Sequence, residues 1–148
     1  MVPGLLLVFL FHWRQKLNEK KRVRVIIADD ELHIRTLVKT VMKSMQAEIV
    51  GEAKNGREAV DLYQLEKPNL LLLDINMPVM GGEKALKEIL GQFPDAFVIM
   101  LTSVADVDTV KKCLDHGAAN YILKDTPLNE MKKIIKETWD SFKEKKGI

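Results

Sequence analysis

The chain has 148 residues, a length that suits one domain with a single hydrophobic core. Its composition, 47% hydrophobic and 30% charged, is that of an ordinary globular protein, and its single cysteine excludes an internal disulfide. The formal net charge is +2, but residues 1–22 contain five Lys or Arg and one Glu, which leaves the remainder at −2. The body of the chain therefore lacks the positive charge typical of a nucleic-acid-binding protein.

Residues 1–21 differ from the rest of the chain and are predicted to form an N-terminal extension. The apolar run VPGLLLVFLF is followed by the basic and polar run HWRQKLNEKKR. Ten apolar residues are too few to cross a bilayer as a helix, which needs about 20, and a secretory signal places its positive charge before the apolar run. Three interpretations stay open: a non-native appendage from an upstream start codon, a short helix that binds a membrane surface or a partner, and a segment that packs on the domain or on a second copy.

From Val23 onward, short apolar runs alternate with segments whose apolar residues recur at helical spacing. In chain order they predict a strand at 23–28, a helix at about 31–45, a strand at 47–53, a helix at 59–66, a strand at 70–74, a helix at 86–93, a strand at 97–101, a helix at 107–114, a strand at 120–123 and a helix at 126–142. Gly117 is well placed to end the fourth helix. Thr126 is expected to cap the last helix, with Pro127 at its first helical position.

Five successive βα units predict an α/β domain over residues 22–143, followed by a short basic tail at 144–148. The strands are continuous apolar runs rather than alternating ones, which is typical of a parallel sheet covered by helices on both faces. Cys113 lies on the fourth predicted helix and is expected to be a packing residue.

Polar residues follow four of the predicted strands at the point where each strand ends. They are Asp29, Asp30 and Glu31 after the first strand, Asp74 at the end of the third, Thr102 and Ser103 after the fourth, and Lys124 after the fifth. Because the carboxyl ends of parallel strands meet at one edge, where α/β sheets bind ligands, these side chains are expected to converge. Taken singly, an aspartate there is a helix cap, Thr102 a strand-end hydroxyl and Lys124 a solvated charge. Together, the repelling carboxylates favour a bound divalent cation, and oxygen-only ligands suit magnesium.

Four segments, VIIADDE, LLLLDINMPVMGG, IMLTS and YILKD, together resemble the site motifs of the response-regulator receiver domain of bacterial two-component signalling. The resemblance covers about residues 22–143 and implies a flavodoxin-like, doubly wound parallel sheet of strand order 2-1-3-4-5 with five helices. It also implies that Asp74 accepts a phosphoryl group from a phosphohistidine on a sensor histidine kinase or a phosphotransfer protein. Phosphoryl transfer needs mostly positioning and charge neutralisation, which a metal and an ammonium group supply.

The resemblance implies a metal site for Mg²⁺ or Mn²⁺. Asp30 and Asp74 would ligate the ion directly, Asp29 mainly through water, and Asn76 through its backbone carbonyl. The protein would then be a phosphoacceptor switch rather than an enzyme, with at most self-phosphorylation and self-dephosphorylation.

The resemblance further implies that Lys124 and Thr102 bind phosphoryl oxygens. Thr102 and Tyr121 would carry the signal to the face made by the fourth helix, fifth strand and fifth helix of the domain, which is also the expected surface for a homodimer. Asn76 and Val104 would flank the attacking water and tune the phosphoryl lifetime.

One motif departs from many receivers, in which proline directly follows the site lysine. Here Asp125 follows Lys124 and proline comes only at Pro127, as in receivers of DNA-binding regulators of the nitrate-response type. The sequence ends soon after its last predicted helix, so a stand-alone receiver and a receiver separated from an output domain both stay open. We expect a cytoplasmic chain that acts on a downstream protein target or a separate output domain and does not itself bind nucleic acid.

Two other functions compete with a phosphoacceptor switch. A phosphatase of the haloacid-dehalogenase type also uses a strand-end aspartate and magnesium, but its nucleophile follows the first strand and a second acid stands where this chain has Asn76. A pseudo-receiver would only bind partners, although the site residues of the resemblance are all present here.

Overall fold

The computed structural model describes residues 3–18, 21–103 and 107–147. Its elements are, in chain order, α1 (Pro3–Asn18), β1 (Arg24–Ala28), α2 (Leu32–Ser44), β2 (Glu48–Ala53), α3 (Gly56–Glu66), β3 (Leu70–Asp74), α4 (Gly82–Gln92), β4 (Val98–Thr102), α5 (Val107–His116), β5 (Asn120–Leu123) and α6 (Leu128–Lys146). All ten elements predicted for the domain are present. The additional helix, α1, lies in the N-terminal extension. Among the residues described, no helix has the length and apolar character needed to cross a membrane.

The five strands form one parallel sheet in the order β2-β1-β3-β4-β5, which confirms the predicted doubly wound α/β fold. The central strand β3 pairs with β1 and β4, and every one of its residues is buried. The leucines of this strand are therefore covered on both faces, as their continuous apolar run indicated.

Alternate strand residues point to opposite faces of the sheet and divide the core into two halves. On one face, Val25, Ile27 and Leu72 pack with the inner sides of α2 and α6. On the other face, Leu71 and its neighbours pack with α3, α4 and α5. Cys113 of α5 lies in this second half and is completely buried, so it is a packing residue as predicted.

Helix boundaries follow local capping signals, with one correction. Gly117 has a φ of +118° directly after α5, so a glycine ends that helix as predicted. The expectation that Thr126 caps the last helix was wrong by one residue. Pro127 takes the cap position with a ψ of 145°, and its carbonyl accepts the first helical hydrogen bond, from Met131 N–H.

Candidate functional site

The carboxyl edge of the sheet brings two buried aspartates and a buried lysine to one point. Asp29 follows β1, Asp74 ends β3 and Lys124 follows β5, and their side chains are almost completely buried. Side chains along a strand alternate between the two faces of the sheet. Asp29, Asp74 and Lys124 occupy the positions that share a face with Val25 and Ile122, which pack toward α2 and α6. All three side chains therefore lie on the same face of the sheet. The predicted convergence of these three residues therefore follows from strand register.

Lys124 makes three ion contacts across this edge. Its Nζ lies 2.7 Å from Asp29 Oδ2, 3.1 Å from Asp74 Oδ2 and 3.3 Å from Glu31 Oε1. Its own N–H donates to the carbonyl of Thr102 at 2.8 Å, which fixes the turn after β5 against the end of β4. A lysine interpreted singly as a solvated charge is thus an internal counter-ion for the acids.

The two aspartates use their oxygens in the same way. Asp29 Oδ1 accepts a hydrogen bond from the N–H of Glu31 at 2.9 Å, and Asp74 Oδ1 accepts one from the N–H of Asn76 at 3.2 Å. The second oxygen of each is buried and accepts no well-aligned hydrogen bond from any residue described. Lys124 approaches both oxygens closely but directs its hydrogen bond to Glu31. Two buried carboxyl oxygens therefore share one ammonium group, and each still lacks a well-aligned donor among the described residues.

The ionisation of the site reflects this crowding. Burial and the negative charge of Asp29 raise the pKa of Asp74 to about 7, against the opposing attraction of Lys124. Burial acts to lower the pKa of Lys124, but the close approach and negative charge of Asp29 and Asp74 outweigh it, and the pKa is raised. The lysine therefore stays charged, while Asp74 is only partly ionised at neutral pH.

The donor set fits a small divalent cation. One carboxylate oxygen from each of Asp29, Asp30 and Glu31 lies within 4.8 Å of the others. Asp74 lies outside this group, but its Oδ2 and the Oδ2 of Asp29, which both lack a well-aligned donor among the described residues, contact the same ammonium group of Lys124. Oxygen-only donors of net negative charge suit Mg²⁺ or Mn²⁺.

Glu31 was expected at this edge of the sheet, but the sequence assigned it no role in the site. It occupies the cap position of α2, yet its side chain makes no cap hydrogen bond and instead contacts Lys124. The simple alternative that Asp29 or Asp30 is the cap residue of this helix is therefore wrong. The three consecutive acids in the sequence were the available signal for Glu31, since their carboxylate oxygens lie within 4.8 Å of one another.

Arg35 is a residue near the site to which the sequence assigned no role. It is buried in α2, where its Nη1 donates to the backbone carbonyl of Asp29 at 2.8 Å and its Nε to Glu52 at 3.2 Å. Lys39 contacts the same glutamate at 3.1 Å. Arg35 therefore ties the turn that carries Asp29 to strand β2. An arginine beside Ile34 on the apolar stripe of α2 was the signal that could have indicated it.

The remaining predicted site residues differ in how far they are buried. Thr102 is buried, one residue after Leu101, which pairs with Asp74. Tyr121 pairs with Met100 and is 40% exposed. Thr102 and Tyr121 lie on the same face of the sheet, because Tyr121 pairs with Met100, which is two residues before Thr102 on β4. Asn76 and Asp30 are exposed, and Val104 lies outside the described residues.

The loop after Asp74 is held close to the strand. Gly82 N–H donates to the carbonyl of Ile75 at 2.8 Å, and a Cβ atom on Gly82 would collide with the Asp74 carbonyl. Val79, in the same loop, is the residue with a left-handed backbone, at a φ of +68°, and its side chain is 85% exposed. This conformation is unfavourable for a β-branched residue. The backbone near the acidic edge is therefore strained at Val79 and tightly packed at Gly82.

Comparisons with known proteins agree on one family. A family model described as the response regulator receiver domain matches residues 25–136. Chemotaxis protein CheY of Listeria monocytogenes is 38% identical over 102 residues, which are 69% of this chain and 86% of that protein. Transcriptional regulatory protein PdtaR of Mycobacterium tuberculosis is 36% identical over 121 residues, 82% of this chain and 58% of that regulator. The chain thus spans most of the first protein and little more than half of the second.

Solved structures lead to the same group of proteins. The signal receiver domain of the response regulator NarL from Mycobacterium tuberculosis is similar with a TM-score of 0.74 and 28% identity, over 82% of this chain and 98% of that one. The complex of CheX with CheY, BeF₃ and Mg²⁺ from Borrelia burgdorferi contains a chain with a TM-score of 0.76 and 28% identity, over 79% of this chain and 89% of that one.

Proposed function

This chain belongs to the response regulator receiver domain family of two-component signalling, and we propose that Asp74 is the residue on which it accepts a phosphoryl group. The observation that carries the proposal is the shared contact of Lys124 with Asp29 and Asp74 at the end of a completely buried strand. A nucleophile on a rigid strand, beside a fixed positive charge, is positioned before any phosphodonor arrives.

The proposed reaction exchanges one bond to phosphorus for another. A carboxylate oxygen of Asp74 bonds to the phosphorus of a phosphohistidine, the P–N bond breaks, and the histidine of the donor leaves as a neutral imidazole after taking up a proton. The nucleophile is the ionised carboxylate, so the raised pKa of Asp74 reduces the fraction of reactive groups at neutral pH until more positive charge is present. Lys124 Nζ, 3.1 Å from Asp74 Oδ2, would stabilise negative charge on the phosphoryl oxygens.

We propose that Asp29, Asp30, Asp74 and the backbone carbonyl of Asn76 bind Mg²⁺ or Mn²⁺. When bound, the cation supplies charge neutralisation to the carboxylates and to the incoming phosphoryl group. The two buried oxygens without a well-aligned donor support this assignment. A similar receiver crystallised in a complex that includes BeF₃ and Mg²⁺ also supports it.

The switch is proposed to involve Thr102 and Tyr121, which face the α5 side of the sheet near its edge. Binding of phosphoryl oxygens by Thr102 would bring Tyr121 inward and change the surface made by α5, β5 and α6, where a downstream protein or a second copy would bind. Asn76 and Val104 are proposed to tune hydrolysis. A cytoplasmic histidine kinase or phosphotransfer protein is the proposed phosphodonor, and self-phosphorylation and self-dephosphorylation are the only reactions that we assign to the chain itself.

Phosphorylation by a small donor tests the acceptor directly. Incubation with acetyl phosphate and Mg²⁺ is expected to add one acid-labile phosphoryl group, detected as a mass increase. Asp74→Asn should abolish it, while Asp115→Asn, at an exposed aspartate of α5, should not. Labelling that survives Asp74→Asn, or that Asp115→Asn also removes, contradicts the assignment. No labelling of the parent chain would favour a pseudo-receiver.

Magnesium binding has its own measurement. Because the cation binds the acid cluster of the folded chain, millimolar Mg²⁺ should raise the melting temperature. The rise should shrink in Asp30→Asn, a change at an exposed proposed ligand that leaves the buried contacts of Lys124 intact. An unchanged melting temperature across millimolar Mg²⁺ would count against the metal site.

A further inference from the structure

We propose that α1 and the basic residues after it attach this chain to an anionic lipid surface. The first observation is that the amino-terminal half of α1, residues 5–11, is apolar on all its sides. Leu5, Leu6 and Leu7 lie about 100° apart around the helix, yet they are 69%, 52% and 67% exposed. Leu10, one turn further, is 48% exposed. A helix with one apolar stripe packs on a domain, whereas a helix that is apolar all round needs an apolar environment on every side.

The second observation is the basic run that follows the apolar residues. It contains Arg14, Lys16, Lys20, Lys21 and Arg22, with Glu19 as its one acid. Trp13 stands between the apolar and basic parts, in the position that tryptophan favours at a membrane interface. Anionic lipid headgroups attract such a basic segment, and their acyl chains accept the apolar residues beside it.

The third observation is the charge of the domain surface next to this run. Helices α2 and α6 flank the start of β1, since Met45, Trp139 and Val23 line one groove of about 380 Å³ between them. Both helices end in lysines on this surface. Five basic residues on this surface form no ion pair with any described residue: Lys21, Arg22, Lys43, Lys143 and Lys145. Two acids on it, Glu48 and Glu144, also form no ion pair with a described residue.

The acidic site lies at the other end of the sheet. Arg24 starts β1 and Asp29 follows its last residue, a separation of about 16 Å along the strand. An anionic surface at the amino end of the sheet would therefore attract the lysines there and stay away from Asp29, Asp30 and Glu31. This orientation leaves Asp74 open to a phosphodonor protein.

The length of the apolar segment defines the mode of attachment. Residues 5–11 make a helical stretch of about 10 Å, one third of a hydrocarbon core of about 30 Å. The segment therefore enters one leaflet. The groove beside Val23 could cover part of α1, but only an anionic lipid surface accommodates both its apolar half and the basic run, which is why we assign lipid rather than the domain or a second copy.

Vesicle co-sedimentation of the full chain tests the proposal. The chain should sediment with vesicles that contain phosphatidylglycerol, at least tenfold less with pure phosphatidylcholine, and less as salt rises from 0.1 to 0.5 M. Leu7→Asp should weaken binding at least tenfold, whereas Leu65→Asp, at a leucine of α3 that is 76% exposed, should leave it unchanged. The double change Lys21→Glu and Arg22→Glu should weaken it about 25-fold or more, since each basic residue near an anionic surface contributes about fivefold. The same reversal at the exposed Lys111 and Lys112 of α5 should have no effect.

Several results would overturn the proposal, and circular dichroism of each variant would verify its fold. The proposal is wrong if the chain stays in the supernatant with both vesicle types or if vesicle binding survives Leu7→Asp. It is also wrong if the test and control variants lose vesicle binding equally. A dimer in solution that Leu7→Asp dissociates, without any vesicle binding by the parent, would instead assign α1 to self-association and also refute lipid attachment.

Discussion

Replacement of Asp74 by asparagine should stabilise the cation-free protein at alkaline pH. The pKa of Asp74 is raised from 3.8 in the unfolded chain to about 7 in the fold. Folding therefore favours the protonated form, so the contribution of this group to stability is fully present below about pH 4 and is lost as the pH rises through 7. Asparagine resembles the protonated side chain in size and lack of charge, and does not titrate.

The expected magnitude follows from the shift. Each pKa unit corresponds to about 1.4 kcal/mol, so the change from 3.8 to about 7 corresponds to at most about 4 kcal/mol. Relaxation around the charge lowers this, and we expect Asp74→Asn to be more stable than the parent by about 2–4 kcal/mol at pH 8.5. At pH 4.5 the two should differ little. Bound Mg²⁺ favours the carboxylate, so its addition at pH 8.5 should narrow the difference.

Urea denaturation between pH 4.5 and 8.5 measures this difference, first with EDTA and then with Mg²⁺. Asp115→Asn, at an exposed aspartate, is the matched control and should follow the parent at every pH. A variant Asp74→Asn that is less stable than the parent at pH 8.5 would refute the reasoning. A stability difference that stays constant with pH would refute it as well, because the effect must follow the titration of one buried carboxyl group.

Three further changes separate packing, strain and hydrogen bonding near the site, each measured by urea denaturation. Gly82→Ala should destabilise by about 2 kcal/mol or more, because its Cβ collides with the Asp74 carbonyl, while Gly91→Ala, with open space around it in α4, should stabilise by about 0.5–1 kcal/mol. If both lose stability equally, the close approach is not the cause. Val79→Asn should stabilise by about 1 kcal/mol, since asparagine tolerates a φ of +68° better than valine; a loss would show that the valine side chain makes a contact of its own. Arg35→Leu should destabilise by about 1–3 kcal/mol and slow phosphorylation by acetyl phosphate, and an unchanged rate would separate Arg35 from the site.

The fold was predictable because two patterns alternate without ambiguity. A run such as Leu70 to Leu73 has no polar side, so only a strand covered on both faces accommodates it. The residue that ends such a run then lies at the sheet edge, which is why the sequence alone predicts that Asp29, Asp74 and Lys124 lie together. The register of the paired strands alone brings these three side chains to one place.

The contacts that the sequence did not predict depend on turns and long-range partners rather than on register. Glu31 contacts a lysine 93 positions away, through a turn whose direction is set by the hydrogen bond between its own N–H and Asp29 Oδ1. Arg35 is buried because a backbone carbonyl and Glu52 satisfy its guanidinium. The start of α6 moved by one residue because Pro127 keeps an extended ψ. No spacing pattern encodes such choices.

Cys113 gives the molecule a chemical reporter that needs no engineering. Its thiol is the only one in the chain and is completely buried where α5 covers the sheet. A thiol reagent can modify it only after α5 separates from the sheet, so the labelling rate measures how often that helix opens. The rate can be followed with and without phosphodonor or magnesium. Since Cys113 lies outside the acidic edge, a change in its labelling would report communication from that edge to a helix of the proposed output surface.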